Sequence, residues 1–160
     1  MGSVRIQQKV FDSAHEERLL RTKFPDDGAL VTFKGYVRGQ DQKGRPLKKL
    51  YLEYYPVVTE KEIERIVKKA ERRWLISGCT VIHRVGELKA GEPIILVLAS
   101  ARHRTDAFHA VDFIMDYLKA EAPFWKKEYL EDGSGQWVEA KQSDIEQKAR
   151  WELEQHDMSI

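Results

Sequence analysis

The sequence predicts an α+β fold, and three observations support this prediction. Helical and strand-like patterns alternate without the repeated strand–helix–strand rhythm of a doubly wound parallel sheet. Two successive strand-like segments are joined by a short polar link, which is typical of an antiparallel pair. The chain has 160 residues, 42% of them hydrophobic and 33% charged, which is the size and balance of one globular domain. We therefore expect a single domain over 1–160.

Five elements are predicted in the N-terminal half: a strand at 4–11, a helix at 13–21, strands at 29–38 and 47–55, and a helix at 60–74. Two capping boxes, Ser13 with Glu16 and Thr59 with Glu62, mark the expected starts of both helices. The link "GQDQKGRP" between the two middle strands is polar and contains two glycines and a proline. It predicts a hairpin with a mobile loop.

The C-terminal half contains predicted strands at 79–85 and 93–101, a helix from Asp106 to about Ala120, a short strand at 136–140, and a helix from Ser143. The run "PIILVLASA" is apolar enough to be a central strand that is buried on both faces. Pro123 cannot continue the preceding helix, so the residues after it must turn away from the helix axis. Such a turn is expected to bring Lys126 back beside Lys119.

The overall charge and the cysteine count exclude several classes of function. The chain has 27 Lys and Arg against 26 Asp and Glu, so it has no global field for nucleic acid or an anionic membrane. One cysteine cannot form an internal disulfide or a cysteine-cluster zinc site, and no metal or cofactor is expected. No apolar run reaches the roughly 18 residues of a membrane span, and there is no signal-peptide core. We expect a cytoplasmic protein whose anion sites are local.

Candidate site residues lie at both ends of the predicted C-terminal-half helix. Near its end, Lys119 follows Asp116 at a spacing that, by itself, indicates a surface ion pair. At its start, His103 and Arg104 are suited to bind a phosphate. Arg38 ends a strand beside a glycine-containing loop, a position equally typical of a substrate contact and of a solvent-exposed arginine.

Aromatic residues accompany the lysines that follow the proline break. Phe124 and Trp125 directly precede Lys126 in the sequence. Burial against aromatic rings and repulsion from neighbouring cations both lower the pKa of a lysine. We therefore hypothesise that these aromatics are placed here to tune the lysines for chemistry.

The helix at 60–74 supports an alternative function. Its outer face carries six cations, but four glutamates are interleaved with them, which is typical of a solvated face. The alternative is a non-catalytic anion- or RNA-binding module formed by this face and the segment 39–49. A hydrolase is less favoured, since the chain has neither a G-x-S-x-G elbow nor an H-E-x-x-H helix.

Several motifs together resemble a known family. The segments "FKGYVRG", "LEYYP", "VIHRVGEL", "SARHRTDAF", "FIMDYLKAEAPFWKKE" and "WVEAK" have the order and spacing of the catalytic (large) subunit of molybdopterin synthase. The resemblance covers about residues 4–151. It implies an α/β hammerhead fold with additional antiparallel strands. It also implies conversion of cyclic pyranopterin monophosphate to molybdopterin by sulfur transfer.

The same resemblance implies partners. The expected sulfur donor is the thiocarboxylate at the Gly-Gly C-terminus of a small ubiquitin-like subunit. Two large subunits are expected to form a homodimer within a heterotetramer, and each large subunit is expected to receive one donor tail in a pocket.

Individual residues match family positions. Lys119 and Lys126 match the two lysines at the reacting centre. The other matches are anion contacts (Arg38, His103 and Arg104), pocket-wall positions (Phe33 and Met115), neighbours in the lysine segment (Lys127 and Glu128), and Lys141. Lys141 stands where the family commonly has an arginine that reaches a neighbouring protomer's site, so it keeps the charge but loses the bidentate fork.

Three further positions qualify the resemblance. Arg102 either is inserted into the usual Ser-Ala-His-Arg motif or replaces its small residue, which puts the local strand register in doubt. Tyr54 stands where a histidine is often found, so no catalytic role is expected there. His83 and Arg84 belong to a family motif, and we favour a structural role for both.

Overall fold

The computed structural model describes residues 2–139 and 142–158, in which four helices accompany two four-stranded sheets. In chain order the elements are β1 (Gly2–Gln7), α1 (Ser13–Lys23), β2 (Ala29–Tyr36), β3 (Leu47–Tyr54), α2 (Val58–Arg73), β4 (Ile76–Arg84), β5 (Gly86–Lys89), β6 (Pro93–Ala101), α3 (Arg104–Glu121), β7 (Phe124–Leu130), β8 (Gly135–Val138) and α4 (Gln142–Met158). The α+β prediction is confirmed. None of the described helices is long and apolar enough to cross a membrane.

The first sheet has the strand order β1-β4-β6-β2, with β1 parallel to β4 and the other pairs antiparallel. Its central strands are apolar on both faces. Val81 and Val97 pack towards α2 and α3, whereas Ile82 and Leu96 pack towards α1. This two-sided burial confirms the central strand predicted from the apolar run at 93–101.

The second sheet has the order β5-β3-β7-β8 and is antiparallel throughout. The predicted hairpin between the segments 29–38 and 47–55 is wrong, because β2 pairs with β6 in the first sheet and β3 pairs with β5 and β7 in the second. The link between β2 and β3 therefore crosses from one sheet to the other. Neighbouring strand patterns in a sequence do not distinguish such a crossover from a hairpin.

The crossing link, predicted to be a mobile loop, forms a turn organised by Asp41. The Asp41 carboxylate accepts hydrogen bonds from the backbone N–H of Lys43 at 2.9 Å and of Arg45 at 2.8 Å. It also accepts a bond from Nε of Arg45 at 2.7 Å. One aspartate therefore holds the turn through both backbone and side-chain donors.

The predicted N-cap of α1 is wrong by one residue, and the predicted capping box does not form. Asp12, and not Ser13, is the N-cap, and its Oδ1 accepts a hydrogen bond from the backbone N–H of His15 at 3.1 Å. Glu16 is buried and forms an ion pair with Arg5 of β1, so it does not reach back to the helix start. Tertiary contact with β1 thus replaces the local capping interaction.

The capping box predicted at Thr59 is also wrong, because α2 begins at Val58 and Thr59 is already inside the helix. The Thr59 side chain is fully buried. Its hydroxyl accepts a hydrogen bond from the backbone N–H of Tyr55 at 2.9 Å and donates one to the carbonyl oxygen of Pro123 at 3.1 Å. Thr59 therefore links the start of α2 to the residue that precedes β7.

The terminal helix α4 packs against α3. Trp151 is buried, and its Nε1 donates a hydrogen bond to Asp116 at 2.7 Å. Arg150 also contacts Asp116, at 3.0 Å, and Asp112, at 2.8 Å. The ion pair between Asp116 and Lys119 expected from their spacing is therefore replaced by contacts to α4.

Candidate functional site

A cleft of about 470 Å³ lies where the two sheets meet the C-terminal part of α3. Six residues singled out from the sequence line it: Phe33, Arg38, Met115, Lys119, Lys126 and Glu128. They come from β2 and the link that follows it, from α3 and from β7, so no single segment contains the site. The fold therefore brings together residues that lie as far as 95 positions apart in the sequence.

The turn at Pro123 places both lysines in this cleft. The helix α3 ends at Glu121, the C-cap residue Ala122 is extended, and β7 starts directly after the proline. Proline disfavours helical geometry in the residue before it, so the chain reverses here. Lys119, in the last turn of α3, and Lys126, on β7, consequently line the same cleft, as the sequence predicted.

The alternation of β7 separates Lys126 from Lys127. Lys126 and Glu128 point into the cleft. Successive side chains of a strand point to opposite faces. The ammonium of Lys127 lies 5.2 Å from the ring centre of Tyr129 and 5.5 Å from that of Trp137. The structure therefore does not bring Lys127 to the site expected from the resemblance.

The same alternation bears on the hypothesis that Phe124 and Trp125 both desolvate the lysines of the cleft. Trp125 is 47% exposed and packs near Tyr55, with ring centres 6.4 Å apart, on the face of β7 opposite to Lys126. It cannot desolvate that lysine. Phe124 does line the cleft, where it stacks on His83 at a distance of 3.9 Å between ring centres. The hypothesis is wrong for Trp125.

Glu128 is a buried carboxylate of the cleft. It is 8% exposed, and its Oε2 has no hydrogen-bond partner among the residues that the structure describes. A buried carboxylate oxygen without a donor is costly, so such an atom marks a position where a ligand can supply the donor. Lys126 lies two residues away on the same face of β7, which places a cation and an anion side by side.

His103 and Arg104 do not line the cleft. Both are exposed at the start of α3, whereas Lys119 is in its last turn. A helix rises about 1.5 Å per residue, so Arg104 and Lys119 are roughly 22 Å apart along the axis. Within one chain, therefore, the expected phosphate contacts and the expected reacting lysines form two separate regions. Lys141 lies outside the described residues.

The strand register near Arg102, which the sequence left in doubt, differs between the two ladders that β6 forms. The pairing of β6 with β2 continues without a shift up to Ala101, which lies opposite Ala29. Arg102 follows the strand and is exposed in the link to α3. Arg102 therefore leaves the β2–β6 ladder intact. The β4–β6 ladder shifts register between Ile76 and Gly78, opposite Ala101 and Ser100.

His83 is a cleft residue that the sequence did not identify as such. Its ring lines the cleft, and Nδ1 lies 2.8 Å from the carbonyl oxygen of Arg84. Burial, with a smaller contribution from the positive charge of Lys126, lowers the pKa of His83 from 6.5 to about 4. The ring is therefore neutral at pH 7. The only sequence signal was its position next to Arg84 in a family motif.

Arg84 has the structural role that was expected. It is buried, and its guanidinium donates hydrogen bonds to the carbonyl oxygen of Gln8 at 3.1 and 3.0 Å and to that of Pro93 at 2.9 Å. These carbonyls follow β1 and start β6, respectively. Arg84 thereby ties the ends of three neighbouring strands together beside the cleft.

Cations on α2 take part in packing, which weakens the case for a nucleic-acid-binding face. Arg73 lies over the ring of Trp151 and donates a hydrogen bond to its carbonyl oxygen at 3.2 Å. Arg65 pairs with Glu121 of α3 at 2.9 Å, and Lys69 lies 5.2 Å from the ring centre of Tyr117. Side chains that already have partners within the protein are less available to bind the phosphates of a nucleic acid.

The thiol of Cys79 is unsuited to carry sulfur. Cys79 is 2% exposed, and burial raises the pKa of its thiol to about 12. The thiolate, and not the thiol, is the reactive form of cysteine. Among the described residues no group of three or more His, Cys, Asp and Glu side chains is arranged to hold a metal ion.

Comparison with known proteins gives consistent matches. Residues 6–121 match the family described as MoaE protein. A molybdopterin synthase catalytic subunit from Mesorhizobium japonicum is 50% identical over 150 residues, which are 93% of this chain and 92% of the relative.

The fold matches two solved structures. A molybdopterin biosynthesis MoaE protein from Burkholderia ambifaria has a TM-score of 0.81 and 44% identity, covering 94% of this chain and 98% of that one. Molybdopterin synthase from Staphylococcus aureus has a TM-score of 0.74 and 28% identity, covering 84% and 95%.

The low pKa of His83 predicts a pH-dependent stability. Between about pH 6.5 and pH 4 the unfolded chain binds a proton at this histidine and the folded chain does not, so stability should fall as the pH falls. The contribution reaches at most about 3 kcal/mol. His83→Phe keeps a ring beside Phe124 and removes the titrating nitrogen. Urea unfolding of both proteins across this range should show a smaller loss of stability in the variant, and parallel curves would contradict the assignment.

Proposed function

The chain belongs to the MoaE family and is an enzyme of molybdopterin formation, and we propose that it transfers sulfur to cyclic pyranopterin monophosphate in the cytoplasm. The sulfur comes from the C-terminal thiocarboxylate of a small ubiquitin-like subunit that ends in Gly-Gly. The observation that carries this proposal is the convergence of Arg38, Lys119 and Lys126 on one cleft.

The charges of the proposed reactants explain why three cations are needed. A substrate phosphate and a thiocarboxylate bring several negative charges into one small volume. Fixed cations stabilise such charge, and they do so more strongly where a partner excludes water. Arg38 offers a planar fork to a phosphate, whereas a lysine ammonium offers a compact charge and three N–H donors. The cleft is open in one chain, since Arg38 and Lys119 are exposed, so an incoming donor tail has access to it.

The proposed reaction is tested most directly with two neighbouring lysines. Lys126→Ala should abolish dithiolene formation from cyclic pyranopterin monophosphate and a thiocarboxylated partner, because it removes a cation from the cleft. Lys127→Ala should keep most activity, because Lys127 packs against Tyr129 and Trp137 on the opposite face of β7. The two variants change the same charge one residue apart. Equal losses of activity, with both proteins folded by circular dichroism, would remove Lys126 from its proposed role.

A second copy of the chain completes the proposed site. His103 and Arg104 lie roughly 22 Å from Lys119 along α3, too far to contact the same small substrate within one chain. In a two-fold dimer each copy gives its neighbour the same surface that it receives. His103 and Arg104 of one copy then approach the cleft of the other copy and bind the substrate phosphate.

Mixed dimers test this arrangement. Lys119→Ala and Arg104→Ala chains, co-expressed with different tags and purified as mixed dimers, should recover about half of the parent activity at low substrate, because one of the two shared sites is intact. Each variant alone should be impaired, Lys119→Ala more severely. If each site were built within one chain, the mixed dimer would have no more than half of the activity of the Arg104→Ala homodimer.

The source of the sulfur is tested with Cys79. Cys79→Ala should keep most activity with a thiocarboxylated partner and lose on the order of 1 kcal/mol of stability, because only a small apolar group leaves the core. The partner with an ordinary carboxylate should give no product with either protein. If a folded Cys79→Ala protein bound the partner but formed no dithiolene, the thiol of this chain would be required for the reaction and the proposed sulfur source would be wrong.

A further inference from the structure

We infer that His83 is a specificity-determining residue, whose Nε2 accepts a hydrogen bond from a ring N–H group of the bound pterin. The inference rests on the proposed function, and it gives a binding role to a cleft residue for which the sequence predicted no chemistry.

The ring of His83 has a fixed orientation in the cleft. It is on β4 of the first sheet and stacks on Phe124 of β7 in the second sheet, with ring centres 3.9 Å apart and an interplanar angle of 18°. The neighbouring residue, Arg84, is held by hydrogen bonds from its guanidinium to two other strand ends. The imidazole is thus fixed at the junction of both sheets, where it lines the cleft.

The hydrogen bond at Nδ1 fixes the tautomer. Nδ1 lies 2.8 Å from the carbonyl oxygen of Arg84, and a carbonyl oxygen only accepts hydrogen bonds. Nδ1 therefore carries the proton, and in the neutral ring Nε2 keeps its lone pair. The described part of the chain donates no hydrogen bond to Nε2. Burial and the nearby Lys126 keep the ring neutral at physiological pH by lowering its pKa to about 4.

A neutral acceptor complements the other polar groups of the cleft. Arg38, Lys119 and Lys126 are donors only, so they can bind phosphate oxygens and carbonyl oxygens but not N–H groups. A pterin ring carries N–H groups as well as acceptors. Carboxylates of the cleft such as Glu128 can accept from an N–H group, but their negative charge also attracts the neighbouring cations. The amides of Gln40 and Gln42 can accept too, but both residues are exposed on the link between β2 and β3. His83 accepts without adding negative charge beside a phosphate.

Such an acceptor would select the heterocycle and not the phosphate. A site built to form a hydrogen bond binds a ligand less tightly when that ligand lacks the corresponding group. Phosphorylated ligands without a ring N–H group would still contact the cations of the cleft. They would not engage Nε2 of His83, so this atom contributes to the discrimination between a pterin and a simple phosphate.

Two substitutions separate the acceptor from the ring. His83→Phe keeps an aromatic ring to stack on Phe124 and removes the acceptor. His83→Gln removes the ring and places an amide oxygen at about the distance of Nε2 from the main chain. We expect His83→Phe to raise the KM for cyclic pyranopterin monophosphate on the order of tenfold or more with a near-parent melting temperature. His83→Gln should melt at a lower temperature and yet recover much of the affinity.

A spectroscopic measurement on the parent protein is independent of how well the variants fold. In protein labelled with ¹⁵N at histidine, the Nε2 resonance of His83 should move when cyclic pyranopterin monophosphate binds. Inorganic phosphate, which carries no ring N–H group, should leave it in place. Movement with both ligands would show a general response to anions and would overturn the proposed acceptor role.

The outcomes distinguish the two proposals. Parent protein that binds no pterin and forms no dithiolene with a thiocarboxylated partner would overturn the proposed function, and the role of His83 with it. Parent protein that forms dithiolene while the Nε2 resonance stays in place, and while His83→Phe keeps the parent KM, would overturn the role of His83 alone. A KM raised in His83→Gln but not in His83→Phe would show that the ring, and not the acceptor, matters.

Discussion

The reversal of the chain at Pro123 is the constraint on which the site depends. The proline ends α3, and the next residue begins β7. The position of the turn is fixed from outside, since the buried hydroxyl of Thr59 donates a hydrogen bond to the carbonyl oxygen of Pro123. From this point β7 runs between β3 and β8. The end of α3 carries Lys119 and the start of β7 carries Lys126, so both lysines lie close to the anchored turn. Residues on both sides of the turn line the cleft.

The two sheets meet beside this turn, and their contact explains why the cleft contains both apolar and charged groups. Phe124 from the second sheet stacks on His83 from the first, and both rings line the cleft. Arg38, Lys119, Lys126 and Glu128 line the same cleft. Glu128 keeps one buried oxygen without a partner in the described residues, an arrangement that costs stability in the free protein. Such a cost is typical of functional sites, where a ligand supplies the missing partner.

Much of the remaining charge serves packing. Arg73 and Arg150 hold α4 through Trp151 and Asp116, and Arg84 joins three strand ends. These guanidinium groups lie in aromatic or buried surroundings, where a planar, weakly hydrated cation is tolerated better than an ammonium. Some of the charged residues therefore support the fold, whereas Arg38, Lys119 and Lys126 line the cleft.

The sequence by itself determined the features that depend on neighbouring residues. The periodicity of α2 and α3, the buried strand β6 and the turn at Pro123 follow from side-chain spacing and from proline, which act over a few residues. The motifs also identified six residues that line the cleft. Only the tertiary structure decided which strands pair, because β2 and β3 follow each other in the chain but belong to different sheets. It also decided the direction of Lys127, since β7 had no strand-like pattern from which alternation could be inferred. The separation of Arg104 from Lys119 and the stacking of His83 depend on contacts between distant segments, and local spacing contains no information about such contacts.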